Sequence, residues 1–88
     1  MQESTSLMSF PCDFPIKIIG KNHRDFLDNV MKIVHKYFPE TSQDKVRSQP
    51  SKNNKYLAVS IILHVTEQST LDALYVELTQ HADINMVL

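Results

Sequence analysis

The 88-residue chain, with 42% hydrophobic and 22% charged positions, has the composition of one folded domain large enough to enclose a single core. A net charge of -1 excludes the basic surplus on which binding to nucleic-acid phosphates or an anionic membrane surface depends, and no window approaches the roughly 18 apolar residues of a spanning helix. Cys12 is the only cysteine, which excludes an internal disulfide and fits a reducing, cytoplasmic location, and residues 1–9 lack the basic start and apolar stretch of a secretory signal.

Residues 1–9 are polar, with Ser4, Thr5 and Ser6 in succession, and read as a disordered tail ahead of one domain at 10–88. Pro11 and Pro15 punctuate the entry to a first strand over 14–19, in which Phe14, Ile16 and Ile18 alternate with Pro15, Lys17 and Ile19. Gly20, the only glycine, follows where a turn with positive φ is expected. Asn22 then offers an N-cap side chain, and Phe26, Leu27, Val30, Ile33, Val34, Tyr37 and Phe38 repeat at the spacing of one apolar helix face until Pro39 stops it.

A polar connection over 40–44 leads to 45–49, where Val46 is the one aliphatic residue, as in an edge strand. Pro50-Ser51-Lys52-Asn53-Asn54 is a turn cluster in which either Asn can adopt the left-handed conformation of a hairpin. The longest β-type run follows at 55–65. Leu57, Val59, Ile61, Leu63 and Val65 share its core face, and Tyr56, Ala58, Ser60, Ile62 and His64 share the other. Thr66 reads as the N-cap of a second helix over 67–81, with Leu71, Leu74, Tyr75 and Leu78 on one face. The last strand, 84–88, alternates with Ile84, Met86 and Leu88 on one side.

Strand, helix, strand, strand, helix, strand, joined by right-handed crossovers, predicts an α+β fold. It is the ferredoxin-like βαββαβ plait, a four-stranded antiparallel sheet with both helices on one face. The opposite face is open. Ile19, Ala58, Ile62 and Val87 are expected to cluster on it, ringed by Lys17, Tyr56, Ser60, His64 and Asn85, an apolar centre with the polar rim of a protein-binding surface. The expected partner is another protein or a second copy of the chain.

Other chemistries find little footing. Cys12, His23, His35, His64 and His81 are scattered without paired-ligand spacing, so no metal site is expected. Cys12 has no histidine placed to activate it, Arg24 and Asn54 lie too far apart to hold a phosphate together, and no convergent catalytic set or cofactor site emerges. Tyr56 is the one aromatic residue expected on the open face, short of the stacking platform a single-stranded RNA requires.

Phe10-Pro11-Cys12-Asp13-Phe14-Pro15-Ile16-Lys17-Ile18-Ile19-Gly20, Pro50-Ser51 with Lys55-Tyr56-Leu57-Ala58-Val59-Ser60-Ile61, Leu74-Tyr75-Val76-Glu77-Leu78 and terminal Met86-Val87-Leu88 together make the chain resemble the YbeD-like family of small bacterial proteins. The resemblance implies an ACT-like version of the plait, similar to small regulatory domains that bind amino acids and control metabolic enzymes. It also implies a link to lipoate attachment. In such domains the ligand sits near the loop after the first strand, which makes Gly20, Lys21, Asn22 and His23 the corresponding candidate loop for a small-molecule effector.

Overall fold

The structure, a computed structural model, describes residues 10–88, and the expected disordered tail lies outside them. The elements are β1 (Cys12–Lys21), α1 (Phe26–Tyr37), a single 3-10 turn (Gln43–Lys45), β2 (Val46–Pro50), β3 (Tyr56–Val65), α2 (Gln68–Thr79) and β4 (Ile84–Val87). They form one antiparallel sheet in the order β2-β3-β1-β4, with the helices packed on one side, the α+β plait expected from the element order. No helix among the described residues is long and apolar enough to cross a membrane.

The core follows from the two periodicities. Along β1 and β3 every second side chain is buried, so Ile16 lies opposite Ile61 and Ile18 opposite Val59, with Phe14 opposite Leu63 at one end. Onto this face α1 lays Phe26, Val30 and Val34, one turn apart, with Phe38 just beyond its end, and α2 lays Leu71, Leu74 and Leu78. No polar or charged side chain among the described residues is buried, so apolar burial alone must offset chain entropy, at about 1.5–3 kcal/mol for each side chain enclosed.

Four local expectations are corrected. Gly20 does not occupy a positive-φ turn: β1 runs through it to Lys21. A Cβ at that position would collide with the Asp83 carbonyl oxygen and the edge of the Phe26 ring, so the strand needs glycine for close approach. Left-handed geometry appears at Asn54, φ 60°, in the β2–β3 hairpin.

Asn22 does not cap α1. Its Nδ2 donates to the Asn54 carbonyl at 3.0 Å, tying the loop after β1 to the hairpin, and the helix begins only at Phe26. Thr66 likewise does not cap α2, which starts at Gln68 after an extended Glu67. That helix ends at Thr79, two residues before His81. The next amides tighten onto carbonyls three residues back, and His81 Nδ1 then accepts the Asp83 N–H at 3.1 Å.

The last correction concerns β4. Ile84 lies opposite Gly20 and Met86 opposite Ile19, so Asn85 is an extra residue in a bulge. The bulge breaks the period of two: Ile84 and Val87 both turn to the core, and Met86 to the open face.

Candidate functional site

Because β1, β2 and β3 hold a continuous register, the open face is a set of cross-strand rows. His64 sits beside Asp13, and Ile62 beside Pro15. The next row crosses the whole sheet, Arg47–Ser60–Lys17, and Lys17 exchanges both backbone hydrogen bonds with Leu88 at 3.0 and 2.8 Å. Gln49–Ala58–Ile19–Met86 forms the row after that, and Tyr56 beside Lys21 closes the face.

Seven of the eight residues expected to make an interaction face, namely Lys17, Ile19, Tyr56, Ala58, Ser60, Ile62 and His64, do share this surface. Val87 does not, because the bulge turns it onto the helix side, where it packs against the core beside Ile84. Met86, 51% exposed, takes its place in the row of Ile19 and Ala58. Ile62, at 44% exposure, and Leu88, at 60%, complete an apolar surface that water reaches.

Arg47, Gln49, Pro15 and Asp13 also belong to this face and were missed. For Arg47 a signal existed: with Val46 the one core-directed residue of an edge strand, strict alternation sends Arg47 outward. Met86 and Leu88 carried no such signal, since the bulge is set by the pairing with β1.

The electrostatics of the face are asymmetric. Its strands carry Lys17, Lys21 and Arg47 against Asp13 alone, in a chain whose total is -1. The 3-10 turn before β2 adds Asp44 and Lys45, of opposite charge, to a depression lined also by Lys17 and Arg47. Asp13 Oδ1 lies 3.1 Å from His64 Nδ1, an exposed pair of little energetic weight. The ion pairs among the described residues are this one, His23–Asp83 and Lys36–Glu77, so no described carboxylate lies within ion-pair distance of Lys17 or Arg47. A shallow depression over Ser60 is lined by Lys17, Arg47, Ser48, Gln49 and Ala58.

The candidate ligand loop has a different character. Gly20 is enclosed, Lys21 N donates to Asp83 O at 3.0 Å, and Asn22 is bonded to the hairpin. His23 Nδ1 accepts the Asp25 N–H at 3.2 Å, so Nε2 carries the proton and donates to Asp83 Oδ2 at 2.8 Å. That bond, the largest cause, holds the Asp83 carboxyl below its ordinary range. The loop's polar groups thus knit three connections together.

Cys12 is half-buried on the core side of β1. Among the described residues no three His, Cys, Asp or Glu side chains are placed to hold a metal ion.

Comparison with known proteins matches this architecture. The family profile described as "Protein of unknown function (DUF493)" covers residues 5–88. A UPF0250 protein of Paraburkholderia phytofirmans is 36% identical over 83 residues, 94% of this chain and 93% of its own length. A UPF0250 protein of Neisseria gonorrhoeae is 33% identical over 87 residues, 99% and 96% of the two chains. Among solved structures, the H. pylori protein HP0495 superposes with a TM-score of 0.73 at 17% identity, over 92% of this chain and 85% of that one. The ACT domain from GTP pyrophosphokinase of Chlorobium tepidum gives 0.65 at 15% identity, over 86% and 84%. At these identities the two structures show a shared fold.

Proposed function

The chain belongs to the DUF493 family, and from that premise we propose that it is a non-enzymatic regulatory or adaptor module that binds protein through the open face of its sheet. The observation that carries this reading is the face itself: Ile62, Ala58, Ile19 and Met86 lie on adjacent strands, accessible to water and edged by charged and polar side chains. Support for the non-enzymatic part is that, among the described residues, the face brings no nucleophile together with a base and an orienting group. The shared fold with an ACT domain makes a regulatory task reasonable for a module of this shape. The family resemblance adds metabolic enzymes, lipoate-linked ones included, to the partners worth testing.

Small-molecule sensing through Gly20, Lys21, Asn22 and His23 is the rival reading. It would require groups already engaged with Asp83 and Asn54 to turn to a ligand. Affinity purification of the tagged protein from its host, beside an Ile62→Asp variant verified to be folded, tests the proposal. The variant is expected to lose the proteins that the wild type retains over an untagged control; full retention by the variant would refute an open-face interface.

A further inference from the structure

Resting on the reading that the open face docks a protein, we infer that its partner is an acidic protein segment. A carboxylate of that segment enters between Lys17 and Arg47 over Ser60, and its apolar side chains cover the rows on either side. Arg47, Ser60 and Lys17 stand side by side on β2, β3 and β1, directed to the same face. Neighbouring strands are about 4.8 Å apart, so the two cations are anchored on backbones about 10 Å apart with a hydroxyl between them. Both side chains are long enough to converge on one anion, and Ser60 can donate from below.

The flanking rows define the rest of the occupant. On one side are Ile62 and Pro15; on the other are Ala58, Ile19 and Met86. A cationic row between two apolar rows suits a segment in which an acid is bracketed by large apolar side chains. Simple polyanions lack the apolar half, and a neutral apolar segment would leave Lys17 and Arg47 desolvated without partners, a cost that selects against it.

A second copy of this chain is a poor occupant. It would present the same cations, with Asp13 the one carboxylate on the strands of its face to set against them. Like charges brought together in an interface cost affinity. A nucleic acid would meet two central cations and the single aromatic Tyr56, without a stacking platform.

The test is an amide chemical-shift titration of the 15N-labelled full chain with three short synthetic peptides. One carries a Glu-Asp pair bracketed by Leu and Phe; a twin has Lys for the acids; another has Ser for Leu and Phe. The first peptide is expected to saturate and to shift the amides of Lys17, Arg47, Ala58, Ser60 and Ile62, with both twins at least about ten-fold weaker. In a Lys17→Glu/Arg47→Glu double variant the preference should invert toward the Lys twin. Should that variant not fold, Lys17→Gln/Arg47→Gln should lose the acidic peptide's advantage.

Four results overturn the inference: equal or better binding of the Lys twin, unchanged preference in the charge variants, no peptide shifting these amides, or a single-stranded RNA shifting them in preference to the acidic peptide. The two levels separate cleanly. If the Lys twin occupies the face while Ile62→Asp still releases host partners, docking stands and the partner chemistry is wrong. If Ile62→Asp releases nothing, the face itself is wrong.

Discussion

Gly20 and Asn54 are the two residues whose backbone needs decide how the corner of the molecule closes. Asn54 tolerates the left-handed turn of the hairpin, and the carbonyl it presents takes the Asn22 side chain. Gly20 lets the Phe26 ring and the Asp83 carbonyl come against β1. Gly20→Ala therefore pits two effects against each other. Restricting the unfolded chain favours alanine by about 0.4–1 kcal/mol, whereas forcing a methyl against backbone and ring costs about 1–3 kcal/mol. The collision wins because the Asp83 carbonyl is backbone and cannot swing away. A lowered urea midpoint with unchanged m-value is expected, and a variant as stable as the wild type would show that the corner relaxes freely. The turn at Asn54 was legible because Asn and turn geometry are linked locally. The task of Gly20 was not, since the atoms that crowd it come from residues 26 and 83, and only the assembled fold brings them there.

At the scale of elements, type and order are legible wherever a local period is strong: β3 alternates without interruption, and the α1 stripe ends at Pro39. The ends shift where tertiary bonds compete, as when Asn22 bonds to the hairpin and leaves α1 to begin at Phe26. The facing of β4 was not legible, because one extra residue at Asn85 exchanges Met86 for Val87 on the open surface and no composition signal marks it. Between the helices, Glu77 of α2 accepts the Tyr37 hydroxyl at 2.6 Å and Lys36 Nζ at 2.9 and 3.2 Å. These bonds, Tyr37's first, hold the Glu77 carboxyl below its ordinary value, and the Glu77 bond holds Lys36 above its own. The sign follows from linkage. A depressed carboxylate stabilises the fold above its unfolded value and loses that contribution as pH falls through its folded value; a raised lysine contributes below its unfolded value and loses it as pH rises through its folded value. Tyr37→Phe should raise the Glu77 value in a carboxyl-carbon titration. The stability gap between wild type and variant should be present at neutral pH and close in acid. A gap that persists below the Glu77 transition would assign the hydroxyl's effect to packing instead.

For the molecule as a whole, the decisive feature is that the folding core and the proposed docking surface occupy opposite faces of one sheet. Ile16, Ile18, Val59, Ile61, Leu63 and Val65 point to the helices and are almost wholly withdrawn from water, while the side chains that alternate with them are accessible. The sequence pattern of β3 already separates these faces, but the cationic row across the sheet required the register of β2 and β1 to be known. The separation predicts that the two faces respond differently to substitution. Leu74→Ala removes a fully enclosed side chain and should cost about 2–5 kcal/mol, which lowers the melting temperature by at least about 8 °C in a domain of this size. Arg47→Glu touches an exposed edge-strand position and should stay within about 0.5 kcal/mol of wild type. Ile62→Asp, half-exposed on an inner strand, should cost about 1 kcal/mol, well short of Leu74→Ala. Thermal melts of the three variants check this directly. If Ile62→Asp melted as low as Leu74→Ala, Ile62 would belong to the folding core, and loss of partners on its substitution would no longer report on an interface. A melt near wild type for Arg47→Glu, and one well above Leu74→Ala for Ile62→Asp, mean that any change in their binding is a property of the surface and not of lost folding.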